Sequence, residues 1–231
     1  MPVAKSAALG QPTRRSMSAR ARRVRNSAFG LVLGVAVLLP AGLLSAPGVA
    51  ARPKPDAGRD CSVWTSTTQP PNYVRVLRNH SGRIDRVAFE RYVTVVLGKE
   101  WPSYLPQAVV MAGAVAVKQY AWFHVLRGPR RTSDGRCFDV RDGVGDQLYK
   151  PHRARVRADH HAAVAATWGI SLLKRGDLFM TGYRRGNRHR CGRDATGWKL
   201  FALSAVRCAN SGRDFLDILR IYYGPALQIR S

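Results

Sequence analysis

The sequence predicts an α+β fold: a single mixed domain of short strands and hairpins packed on a few helices and stapled by disulfides. Three observations carry this. Some segments repeat apolar residues at helical spacing while others alternate apolar and basic residues. No internal repeat appears. Four cysteines, an even count, follow a segment that reads as an export leader.

Composition sets the outer bounds. The 231 residues hold 38 Lys plus Arg against 14 Asp plus Glu, a formal charge of +24. Of those bases 31 are Arg, and Glu90 and Glu100 are the two glutamates. An apolar content of 45% excludes wholesale disorder, and the length suits one domain with appendages and a real core. Residues 1–26 carry Lys5, Arg14, Arg15, Arg20, Arg22, Arg23 and Arg25 without an acid, and an uncharged apolar stretch runs from Ser27 to Ala51. A basic start, an apolar centre and a small-residue end describe a secretory signal peptide over 1–50, cleaved near Ala50 or Ala51. The alternative is an uncleaved single-pass anchor, since the run approaches the ~20 residues that span a bilayer. Pro40 and the Ala/Gly/Pro-rich end favour cleavage. In both cases the basic flank stays inside and the remainder is exported. Without residues 1–50, which hold seven bases and no acid, the charge falls to +17. Such a surface attracts polyanions. Export makes nucleic acid a poor partner, leaves anionic wall polymers as the fitting ones, and restricts membrane contact to an uncleaved leader. Coding bias accounts for much of the arginine excess.

The elements follow in order. Residues 51–72, with Pro53, Pro55, Pro70 and Pro71, read as a linker or N-terminal extension that Cys61 can tie down, and 73–231 as the domain. Tyr73–Arg78 (YVRVLR) alternates apolar and basic residues as a strand does, and NHSG turns it. Val87–Lys99 sets Phe89, Tyr92, Val93, Val96 and Leu97 at helical spacing and should end near Gly98. Gln107–Leu126 follows Pro106 as a longer, mostly apolar helix. Its Ala108, Ala112, Gly113, Ala114 and Ala116 would let a neighbour approach closely. A Gly/Pro/Arg loop over 128–136 leads to a short strand at Cys137–Val140. Ala154–Trp168 reads as helix, and Ile170–Leu173 with Leu178–Thr181 as a hairpin around Lys174–Asp177. Residues 182–198 read as a Gly- and Arg-rich loop. Asp214–Tyr223 closes the domain as a helix with Phe215, Ile218, Leu219 and Tyr222 on one face.

Export changes how Cys61, Cys137, Cys191 and Cys208 read. An even count outside the cytosol suggests two disulfides, with three pairings open on paper. Cys191 and Cys208 close a short loop, a bridge of about 3 kcal/mol in the loop-entropy model, which leaves Cys61 and Cys137 for each other. A metal site with His152, His160, His161 or His189 is the alternative. Neither a C-x-x-C nor an H-x-x-x-H spacing supports it, so no metal and no cofactor is expected.

Chemistry narrows to the carboxylates. The chain has no G-x-S-x-G elbow, P-loop, G-x-G-x-x-G or H-E-x-x-H. Glu90 lies early in a helix, where an acid complements the helix dipole. Glu100 lies at a helix end, where an acid is disfavoured, and directly precedes Trp101-Pro102. Beside an indole and an apolar helix its neutral form gains, the environment that makes a carboxylic acid useful near neutral pH.

Five blocks in order resemble the stage II sporulation protein D / LytB (SpoIID/LytB) family, from about Tyr73 to the C-terminus. VAFERYVTVVLGKEWP is similar to the family's apolar helix ending in Glu, an apolar residue and Pro. LPQAVVMAGAVAVKQYAW matches its small-residue helix at Ala112, Ala114, Val115, Ala116, Lys118, Tyr120 and Ala121. CFDVRDGVGDQLYKP resembles its Asp-Val-x-Asp…Gln-x-Tyr segment at Asp139, Val140, Asp142, Gln147 and Tyr149. AVAATWGISLL and GRDFLDILRIYYGP resemble two later blocks. Two stretches depart from the family pattern. ATGWKLFA (Ala195–Ala202) stands where the family has Gly-His-Gly-Val-Gly-Met-Ser-Gln, and TGYRRGNRHRCG replaces a Ser-rich, Gly-Gly segment. The Cys-bracketed variant resembles a secreted branch of the family.

The resemblance implies a peptidoglycan lytic transglycosylase with Glu100 as its catalytic acid. Most glycosidases use two carboxylates. A lytic transglycosylase can use one, because the hydroxyl of the substrate's own N-acetylmuramic acid closes onto the anomeric carbon. Asp142 or Asp139 could serve as a second. Lys118, or an Arg of the 184–190 loop, is a candidate for substrate carboxylates or N-acetyl carbonyls. A snorkelling base is the plainer role for Lys118, and a turn network the plainer role for Asp142, Gln147 and Tyr149, with a place in the groove second. The departures keep open a non-catalytic wall-binding module of the same fold.

Overall fold

The second strand and the first helix follow one another without a loop. The computed structural model describes residues 58–102 and 104–231, which lie within one compact unit, Arg52–Ser231. The leader expected over 1–50 and the start of the 51–72 extension lie outside the described residues. Strand β1 (Tyr73–Leu77) pairs antiparallel with β2 (Ile84–Ala88), setting Val74 opposite Val87 and Leu77 opposite Ile84. Val87 and Ala88, expected to be helical, therefore close the strand. In β2 the buried Ile84 and Val87 flank the less buried Asp85 and Arg86, and the ladder to β1 satisfies their backbone. Helix α1 begins at Phe89 and runs to Glu100. Gly98 does not end it. Its missing side chain makes room for Val156, whose Cγ2 would stand 2.8 Å from a Cβ at position 98.

Helix α2 (Gln107–Leu126) is the centre of the fold and packs against α1 and against α3 (Ala158–Ala166), α4 (Ala202–Asn210) and α5 (Phe215–Tyr223). Among the described residues it alone has the length and hydropathy of a membrane-spanning helix, but 72% of that stretch is buried in the fold. A helix apolar on all sides and enclosed by its own domain is a core helix. Its small residues are used as the spacing predicts: the Trp101 indole lies directly on Gly113.

Short strands frame this helical core. Cys137–Val140 splits at Asp139 into β4 (Cys137–Phe138) and β5 (Val140–Arg141). The first pairs with β3 (Arg130–Arg131) and the second runs parallel to β1. The split serves the buried pair between them, in which the Arg75 guanidinium reaches Asp139 Oδ1 at 2.8 Å and Oδ2 at 3.1 Å. The expected hairpin is tighter than foreseen. Strand β6 (Ser171–Lys174) turns into β7 (Asp177–Leu178) through Arg175 and Gly176 alone, both at positive φ (55° and 85°), as a two-residue turn of the I′ kind requires. The Gly- and Arg-rich loop begins as strand β8 (Gly182–Arg184), parallel to β9 (Lys199–Phe201), and the chain ends in β10 (Gln228–Arg230) on β6.

Helix α4 has no counterpart in the sequence reading. It is only nine residues long and buries Ala202, Ser204, Ala205 and Cys208, small side chains whose amphipathic pattern the sequence reading passed over. Helix α5 starts where expected, capped by Asp214, whose carboxylate accepts the Asp217 amide at 2.8 Å. Helix α3 is shorter than Ala154–Trp168, because Arg157 is extended before it and Thr167 leaves it.

Both disulfides form as paired in the sequence, Cys61–Cys137 and Cys191–Cys208, so zinc ligation by these cysteines is excluded. Their sequence separations of 76 and 17 residues make the first worth about 1 kcal/mol more in the loop-entropy model. The first bridge ties the described part of 51–72 to the domain at Cys61. Residues 58–72 lie along the domain as a strap: Arg75 donates to the Asp60 carbonyl, and the Trp122 indole N–H to that of Ser66 at 3.1 Å.

Candidate active site

Glu100 ends α1 on the wall of a cleft of about 640 Å³, bounded by Trp101, Pro102, Tyr104 and Leu105, the 144–148 loop, β8 and the start of α4. The helix C-terminus offers carbonyls, and so no donors, to a carboxylate. Donors come instead from distant parts of the chain. The Leu148 amide binds Glu100 Oε1 at 2.6 Å, and the Tyr183 hydroxyl is the second donor. Burial raises the Glu100 carboxyl above its ordinary range. Tyr183, Leu148 and the nearby Arg184 guanidinium act in the opposite direction without reversing it.

Tyr183 is itself held by a buried relay. Gln147, fully buried, accepts the Tyr92 hydroxyl at 2.9 Å on its Oε1. Its Nε2 donates to the Val117 carbonyl and to the Tyr183 oxygen, each at 3.1 Å. With that oxygen already an acceptor, the Tyr183 proton is free to point at Glu100. Trp101, 1% exposed, packs between Gly113 and the Tyr183 ring, whose centroid is 5.7 Å from its own. His160 fixes the turn that follows Glu100. Its Nδ1 accepts the Arg157 amide, which leaves Nε2–H to donate to the Trp101 carbonyl at 2.8 Å.

A second carboxylate, Asp146, also lines the cleft. Burial works against its charge, yet the Arg130 guanidinium and the Arg141 amide hold it below the usual carboxylate range. Its other oxygen accepts the Tyr120 hydroxyl at 3.2 Å. The cleft thus joins one carboxyl biased toward the acid to one biased toward the anion.

Of the candidates named from the sequence, Glu100 lines the cleft and Gln147 reaches it through Tyr183. Arg184 and Arg185, from the 184–190 loop, line it as well, while the remaining candidates sit elsewhere. Lys118 is 1% exposed, and its Nζ donates to the carbonyls of Thr167, Trp168 and Ile170, closing the end of α3. Burial pushes its ammonium down to about 7, while three acceptors call for all three N–H groups of the charged form. It is neither a snorkelling base nor within reach of the cleft. Lys118→Met is expected to lower stability by about 3 kcal/mol, since three buried carbonyls lose their donor; chemical denaturation measures it. Asp142 is bound by Arg78 at 2.7 Å, Lys150 at 3.1 Å and the Asn79 amide at 2.7 Å. Tyr149 stacks on Tyr92 with centroids 5.3 Å apart. Asp139 is occupied by Arg75. These three hold the turn network, and none lines the cleft.

Tyr183, Tyr120, Asp146 and the Leu148 amide were not foreseen as site groups. Tyr120 stands in a motif already noted, but nothing in the sequence says which helix face meets the 144–148 loop. Both stretches that depart from the family pattern form cleft wall, contributing Gly182, Tyr183, Arg184 and Arg185 from one and Lys199 and Ala202 from the other.

A mixed α+β domain with a half-buried, acid-biased glutamate over an open cleft is the class of site seen here. Residues 78–173 match the family described as SpoIID, Stage II sporulation protein. The match runs from the end of β1 through β6, takes in Glu100 and Gln147, and stops before Tyr183. No curated protein matches the chain. Similarity to SpoIID suggests a role related to the cell wall, and the two disulfides point to an extracytoplasmic setting.

Proposed function

We propose that this protein is an exported lytic transglycosylase that cleaves peptidoglycan glycan strands with Glu100 as its single acid/base. The observation that carries this is the Glu100 carboxyl: half-buried, biased toward its neutral form, and aimed into a cleft of sugar-binding size by two donors from other elements. As acid it protonates the glycosidic oxygen while the bond to the anomeric carbon breaks. As carboxylate it then takes the proton from the 6-hydroxyl of the muramic residue, whose oxygen closes on that carbon to leave a 1,6-anhydro end. Proton and bonds balance without a water molecule, so no second carboxylate is needed to activate one. The leader over residues 1–50 would deliver the domain to the wall and be cut near Ala50 or Ala51.

Digestion of purified sacculi followed by muropeptide analysis tests the assignment. Soluble products with anhydro ends are expected. Sedimentation with the sacculi without such products would make the protein a wall-binding module instead. Tyr183→Phe supplies a second test. The hydroxyl favours the Glu100 carboxylate, so removing it raises the Glu100 pKa further. Activity that needs the protonated acid is lost as pH rises through that pKa, and the alkaline limb of kcat/KM should move to higher pH in the variant.

A further inference from the structure

Four cations ring this cleft: Lys99 beside Glu100, Arg184 and Arg185 at the end of β8, and Lys199 at the start of β9. All four are exposed, and none pairs with a carboxylate among the described residues. Of the acids in the cleft, Asp146 is already matched by Arg130. Arg184 lines the cleft within electrostatic reach of both Glu100 and the Tyr120 hydroxyl. The fold makes room for this arrangement. Gly182 is paired with Lys199, and a Cβ on it would stand 2.9 Å from Lys199 Cγ, so the lysine stem crosses β8 where a side chain is missing. Between the cations the lip is apolar and open, with Tyr104 77%, Val144 87% and Met180 45% exposed. An exposed Tyr104 ring with aliphatic neighbours, set among these cations, suits a ligand with apolar ring faces and repeated anionic groups.

We propose that the rim of Lys99, Arg184, Arg185 and Lys199 makes the cleft selective for glycans bearing carboxylates, with Arg184 seating the carboxylate beside Glu100. This rests on the glycan-cleaving function above and names its specificity. The carboxylate has two sources on a peptidoglycan strand, the lactyl ether of the sugar and the stem peptide.

Retention of the full chain carrying Glu100→Gln, so that strands are not consumed, tests the proposal on four insoluble matrices. These are peptide-free strands, the same strands with carboxylates amidated by carbodiimide and ammonia, strands with stem peptides intact, and neutral chitin. About tenfold weaker retention is expected on the amidated strands and on chitin than on at least one carboxylate-bearing matrix. Preference for peptide-free or for intact strands identifies the lactyl or the peptide carboxylate as the source, and both outcomes support the proposal. Arg184→Gln should bring retention on the preferred matrix toward the amidated level. Arg207→Gln, an equal loss of charge on the exposed face of α4 away from the cleft, should not. Equal retention on native and amidated strands, or equal effects of the two arginine variants, would overturn it. The two assignments fail separately. Absence of anhydro products from wild type with carboxylate-dependent retention intact defeats only the enzymatic function. Release from amidated strands at the native rate defeats only the specificity.

Discussion

Glu100→Gln is expected to abolish release of anhydro ends while raising thermal stability at neutral pH. The amide keeps the size of the side chain and an oxygen for the Leu148 amide, so the fold has no cause to change. It can neither give nor regain the proton, and loss of an acid/base group costs about 10²–10⁴-fold. The stability effect has the opposite sign and a pH window. Burial raises the Glu100 pKa above its unfolded value. The folded chain therefore binds the proton more tightly, and its stability falls as pH rises from the unfolded pKa through the folded one. Glutamine carries no charge to desolvate, so the variant should melt above wild type at neutral pH, and the gap should close in acid below the unfolded pKa. Product analysis with melting curves at two pH values checks both halves. Activity equal to wild type would remove Glu100 from the mechanism, whatever the melting curves show.

Gly113→Ala is expected to have the second-largest effect, although alanine is the better helix former by about 1 kcal/mol. An added Cβ would stand 2.6 Å from Trp101 Cδ2 and within 2.9 Å of two further indole carbons. The helix backbone cannot retreat, so the indole must. Overpacking of this kind costs about 1–3 kcal/mol, which exceeds the propensity gain. Trp101 directly follows Glu100 and packs on Tyr183, so its displacement moves the acid and its donor together. A shift of about 1 Å at a reacting group costs on the order of 10²-fold. A melting temperature below wild type with reduced kcat is the expected result. The double variant with Trp101→Phe, whose smaller ring relieves the clash, should regain stability. A Gly113→Ala variant more stable than wild type would show that the indole yields freely.

The site was legible in part, for reasons that differ by residue. Glu100 stood out because glutamate is scarce here and a helix C-terminus is a poor place for one. The small residues of α2 were legible as a close approach, although not as the bed of Trp101. Lys118 misled, since a lysine on an apolar helix reads the same in sequence whether its amine reaches solvent or three carbonyls. Asp142, Gln147 and Tyr149 shared a motif yet separated in space. Gln147 turned inward to hold Tyr183, while its neighbours braced the turn below β1.

By itself the sequence determined the fold class, both disulfide pairings, the central helix and the carboxyl most out of place, because each depends on local periodicity, spacing or composition. Tertiary structure alone decided what surrounds that carboxyl. The Leu148 donor is 48 residues away, and Tyr183, Arg184, Arg185 and Lys199 lie beyond a hairpin whose register only the packed sheet defines. Burial and partners shift a pKa, and both depend on which segments meet. Glu100 was therefore visible as a candidate in the sequence, while its bias toward the acid arose only when the chain closed around it.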